Sequence, residues 1–210
     1  MTSNSVASKL IGFSIRVPEV ELARLWDDRR RQVHLLRPEV RAPLSIDDAV
    51  WPVPDDVNDY LVERGLGEVD SNPLNLMPSI PEEWAQNGLP SEVGKGYRLI
   101  AATVTESGFA ALEATYNAIM YASGTALASV VLPKWKNLGF DIIDNTGISG
   151  LTNCGLGGAV EAEQRSRLAA QLNDHGLVKQ LAAAREIVEI LDRTVSEHQP
   201  FLPVQVWQAM

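Results

Sequence analysis

Leu138 to Gly158 reads LGFDIIDNTGISGLTNCGLGG, and it concentrates the residue types most able to do chemistry. It holds six glycines, two aspartates, two asparagines and the only cysteine. A dinucleotide-binding turn needs G-x-G-x-x-G between a strand and a helix. Gly155 and Gly157 supply the first pair, but Val160 stands where the third glycine belongs. No glycine precedes Lys and then Ser or Thr, so the phosphate-binding loop is absent too. A nucleophile elbow needs G-x-S-x-G. Gly147-Ile148-Ser149-Gly150 closes one residue early. No cofactor is expected from these glycines. Their ordinary role is to permit turns and close backbone approach.

Asp141, Asp144, Asn145, Ser149 and Asn153 are the candidate catalytic side chains of this stretch. Oxygen ligands at the carboxyl end of a strand suit a hard divalent cation. The alternating acids and closing Glu of a calcium loop are missing, and a turn built on Asp144 and Asn145 is the simpler reading. If a strand runs through Ile143, Asp141 and Asp144 point to opposite faces. The three histidines, His34, His175 and His198, stand far apart with no neighbouring cysteine, so no metal site is expected. Surface positions are expected for all three. Cys154 lies among Leu and Gly, where a cysteine is usually a small buried hydrophobe.

Charge offers a different kind of site. Residues 24 to 41 hold six Arg against three acids, whereas Ser45 to Glu92 holds eleven acids against one Arg. Asp47, Asp48, Asp55, Asp56, Asp59 and Glu63 are the candidate contact residues, because such a run steers a basic partner. Trp51, Tyr60 or Trp84, if exposed among them, would make an interface of the hot-spot type.

The elements that position these groups follow from periodicity. Ile11, Phe13, Ile15 and Val17 alternate with Gly12, Ser14 and Arg16, which predicts a strand over 9–17. A helix from Glu19 carries Arg29, Arg30 and Arg31 outward. Pro54 and Asp55 open a helix that stops near Gly65, and Pro81 to Gln86 is a brief helix in a proline-punctuated connection. Gly96 to Thr105 is a buried strand, paired with the first, and a helix follows Ser107. Leu127 to Leu132 is ambiguous between helix and strand. Gly139 reads as a breaker, leaving a short third strand over Phe140 to Ile143. Val160 to Leu172 is a polar helix. Leu177 to Val195 has the spacing of a helix of about six turns. Phe201 to Trp207 is an apolar tail that docks on the body or on a neighbour. No internal repeat is evident.

The whole is an α+β domain over residues 9–210 after a loose tail at 1–8. It has a small, mainly antiparallel sheet of three or four strands covered by helices, and a long C-terminal helix. A net charge of −9 disfavours nucleic acid and anionic lipid. No stretch is long and apolar enough to cross a membrane, no signal peptide is read at the N-terminus, and a lone cysteine suits the cytoplasm. With no catalytic motif intact, the sequence points first to a cytosolic protein-binding module with an acidic contact surface. One form is an immunity or antitoxin-type inhibitor of a basic effector. A small-molecule enzyme using the 138–158 loop and a homo-oligomeric structural subunit held by the C-terminal tail are the alternatives.

Overall fold

The computed structural model describes residues 8–16, 34–40, 43–46, 55–65, 76–77, 80–93, 96–116, 135–153 and 156–210. The expected Arg-rich helix over 19–36, apart from its last residues, and the ambiguous Leu127–Leu132 lie outside them, as do Asp47, Asp48, Trp51 and Cys154.

Four strands form one antiparallel sheet: β1 (Ser8–Arg16), β2 (Arg98–Thr105), β3 (Trp135–Ile143) and β4 (Leu202–Ala209), in the order β1-β2-β4-β3. The helices are α1 (Asp55–Glu63), α2 (Glu82–Asn87), α3 (Glu106–Tyr116), α4 (Leu156–Ala159), α5 (Ala162–Ala169) and α6 (Leu181–Thr194). The protein is therefore an α+β fold with a long C-terminal helix. The expected pairing of the first two strands holds, with Phe13 opposite Ala101 and Ile15 opposite Leu99.

Alternation along the strands divides the core. Phe13, Ile15, Leu99 and Ala101 pack with Leu61 of α1, Trp84 of α2 and Val93. The intervening Ile100, Ala102 and Val104 join Ile11, Leu44, Ile46, Leu76 and Leu177 on the opposite face. The register places Phe140 on the same face as Phe13, and there Phe140 and Ile142 meet Leu168 of α5 and Ala184, Ile187 and Leu191 of α6. One face is thus covered by α1 and α2 at one side and by α5 and α6 at the other.

Two expectations are corrected, and a third, that the apolar tail docks on the body or on a neighbour, is made specific. Gly139 does not end a strand: it sits at a register shift inside β3, at φ 128°, so the strand begins at Trp135. A bulge glycine was mistaken for a breaker. The last helix starts at Leu181, not Leu177, because Val178 exchanges two backbone hydrogen bonds with Phe140 and is held extended. That leaves 14 residues, about four turns. The apolar tail is an inner strand, paired with β2 on one side and β3 on the other. Pro203 is tolerated there because the ladder to β2 begins only at Gln205.

Candidate functional site

The polypeptide leaves β3 at Ile143 and returns through Ser149, which bridges Ile143. The 144–148 turn between them is built on one carboxylate. Asp144 Oδ1 accepts hydrogen bonds from the backbone N–H of Thr146 (2.8 Å) and Ile148 (2.9 Å) and from the Thr146 hydroxyl (2.7 Å). The Asp144 side chain is fully buried. Its other oxygen, Oδ2, lies 2.6 Å from Nδ1 of His198. The imidazole comes from the short 3-10 helix Ser196–His198 just before β4 and is 36% exposed. Asn145 strengthens the same junction. Its backbone N–H donates to the His198 carbonyl and its side-chain amide to the Gln199 carbonyl.

Asp141 sits three residues earlier in a different setting, fully buried under residues 43–46. Oδ2 accepts from the Ser45 hydroxyl (2.5 Å) and the Ile46 N–H (3.1 Å). Oδ1 accepts from the Ser149 hydroxyl (2.6 Å) and the Ile142 N–H (2.8 Å). Burial pushes its carboxyl above the usual Asp range, against the downward pull of these four donors. Ser149 is buried and committed to Asp141. Asn153 is exposed, with its backbone N–H bonded to the Ser149 carbonyl. Thus Asp144 and Asn145 come together with His198, Asp141 and Ser149 form a separate buried cluster, and Asn153 stands apart.

His198 is the site residue that sequence reading passed over, since 54 positions separate it from Asp144. A partly exposed imidazole whose Nδ1 is oriented by a buried carboxylate is an arrangement found in histidine-based acid–base sites. Among the described residues no group of three His, Cys, Asp or Glu is placed to hold a metal ion.

His34 was expected at the surface and is instead buried. Its Nε2 meets the Gly176 carbonyl at 2.8 Å, so that nitrogen carries the proton, while Nδ1 accepts the N–H groups of Leu36 and Arg37 at 3.2 Å. Burial, and then the Arg37 guanidinium, lower its pKa to about 4. His175 is half-buried, and its pKa is lowered by burial and then by Arg98 and Lys136.

The acidic candidates divide differently. Asp55 and Asp56 occupy the first turn of α1. Asp59 and Glu63 of that helix are exposed, as are Glu82 and Glu83 of α2 and Glu92 beyond it. Tyr60 and Trp84 stack with centroids 6.1 Å apart and an 18° interplanar angle, which locks α1 onto α2. Trp84 is therefore a core anchor and is not available as an exposed contact residue. Arg64 lies 4.4 Å over the Tyr60 ring.

No family model matches the chain, and no curated protein and no solved structure gives a significant match. Among the described residues no helix is long and apolar enough to cross a membrane.

Proposed function

We propose that this protein is a protein-binding module that receives a basic partner on the acidic face carried by α1 and α2. An immunity or antitoxin-type inhibitor of a basic effector is the concrete form of this reading. The observation behind it is the stack of Tyr60 on Trp84, which holds two helices together while Asp59, Glu63, Glu82 and Glu83 stay exposed. A rigid support limits the ordering cost of binding, and like charges on it raise the rate of encounter. The net charge of −9 acts in the same direction. The test is retention of a cationic partner on the immobilised protein at 50 mM and 500 mM salt. Retention lost at high salt, and lost at low salt in Asp59→Asn/Glu63→Gln/Glu82→Gln/Glu83→Gln, supports the reading. Retention that ignores both salt and the four substitutions defeats it.

A second reading rests on the Asp144–His198 pair. A partly exposed imidazole held at Nδ1 by a buried carboxylate suits general base catalysis beside the 144–148 turn. It predicts a hydrolytic or proton-transfer activity that disappears in His198→Gln while the fold is retained. A panel of ester and phosphoester substrates with no turnover above the His198→Gln background would exclude it.

A further inference from the structure

We propose that the chain is an internal duplication: two copies of one β–helix–helix–β unit, docked about a pseudo-twofold axis, so that the partner for which β4 is shaped is a second copy of its own unit. The inference stands on register. Ser8 falls on Trp135 and Arg16 on Ile143, so a single offset of 127 carries β1 onto β3. Arg98 falls on Leu202 and Thr105 on Ala209, so a single offset of 104 carries β2 onto β4. Under these two offsets every β1–β2 pair becomes the corresponding β3–β4 pair. Phe13–Ala101 becomes Phe140–Gln205, Arg16–Arg98 becomes Ile143–Leu202, and the irregularity at Leu10/Gly12 lands on the one at Asn137/Gly139.

The irregularities are alike in detail. Each has a glycine of positive φ, 156° at Gly12 and 128° at Gly139. Each is followed by a phenylalanine that exchanges two backbone hydrogen bonds with a loop residue, Phe13 with Met77 and Phe140 with Val178. Each glycine is pressed by that loop. A Cβ on Gly12 would lie 2.6 Å from Leu76 Cβ and 2.9 Å from the Met77 carbonyl oxygen. On Gly139 it would lie 3.0 Å from Leu177 Cβ and 2.7 Å from the Val178 carbonyl oxygen. Among the described residues the order of elements is alike as well: β1, α1, the Met77 bridge, α2, β2, then β3, α5, the Val178 bridge, α6, β4, with the short α4 an addition in the second unit.

The two units meet as a twofold requires. β2 and β4 are antiparallel, and within their ladder Ala102 faces Val206. Those two residues are equivalent under the 104 offset, so the axis passes between them and through the sheet. The pairs on either side, Ala101–Trp207 and Thr103–Gln205, exchange under the same operation. A trace survives in sequence. SKLIGFSIR of β1 and WKNLGFDII of β3 share Lys, Gly, Phe and Ile at matching positions. No repeat was read from the sequence because the two offsets differ, the first unit having the longer connection between its strands.

The test begins with the full chain carrying Cys154→Ser, Val206→Cys and a protease site inserted between residues 117 and 134. If the insertion prevents folding, the two pieces are co-expressed as separate chains. Cleavage leaves a 1:1 complex of the first and second pieces, to which a tenfold excess of second piece is added during refolding. The proposal expects native mass spectrometry to show a folded pair of second pieces beside the 1:1 complex. It also expects mild oxidation to cross-link that pair at position 206, where self-pairing about the axis puts the two sulfurs opposite each other. The same thiol moved to Gln208→Cys falls off the axis and should not cross-link. A second piece that stays monomeric, stays unfolded without the first, or cross-links equally well from 206 and 208 overturns the proposal.

Discussion

His198 reaches across 54 positions of sequence to place Nδ1 2.6 Å from Oδ2 of the buried Asp144. This contact ties the turn after β3 to the segment that leads into β4. Removing the imidazole takes a hydrogen-bond partner from Oδ2 of a carboxylate that is out of water. His198→Ala should therefore cost about 1–3 kcal/mol of unfolding free energy, read by urea denaturation. A change below experimental error would show that the contact does not hold the turn.

His34 gives a pH dependence whose sign follows from its surroundings. Its folded pKa of about 4 lies below the ordinary value of 6.5, so the unfolded chain binds the proton more readily between those values. Stability should then fall as pH drops from 6.5 towards 4, by about 3 kcal/mol in total. His34→Gln should lack that slope. Parallel stability curves for the two proteins across this range would contradict it.

Asp141 acts with the opposite sign. A carboxyl raised by burial is protonated more readily in the folded state, so its contribution declines as pH rises from 3.8 to its folded value. The stability difference between the native protein and Asp141→Asn should change across that interval and be flat above it. Asp141→Ala leaves buried donors from Ser45, Ile46, Ile142 and Ser149 without their acceptor. It should cost roughly 3 kcal/mol or more at neutral pH, measured by the same denaturation.

Gly12→Ala and Gly139→Ala should each lose roughly 2–5 kcal/mol, from positive-φ strain together with overpacking against a backbone carbonyl. Gly158→Ala is the control, because a Cβ there meets nothing within 4 Å. Thermal melts of the three variants separate backbone geometry from a general intolerance of alanine.

The sequence made local periodicity visible and long-range commitment invisible. The alternation of Ile11, Phe13 and Ile15 and the run Leu99 to Val104 were enough to place β1 and β2 and to pair them. Gly139 was misread because a bulge and a break use the same residue, and only the Val178 loop packed against it distinguishes them. The long C-terminal helix was found, but its first turn was overcounted: the spacing of Leu177 fits a helix, and the pairing of Val178 with Phe140 overrides it. At the candidate site, Asp144 and Asn145 were legible as turn formers. Their partner His198 was not, because no spacing rule links a turn to a residue brought beside it by the sheet.

The bridges at Phe13 and Phe140 have a consequence for recognition. β1 and β3 are the outer strands, and each is met near its middle by a residue of its own chain, Met77 on one side and Val178 on the other. A visiting peptide therefore has no uninterrupted row of backbone donors and acceptors along which to lie as a fifth strand, and neither has a neighbouring molecule in an aggregate. At these two edges the surface open to a visitor is one of side chains.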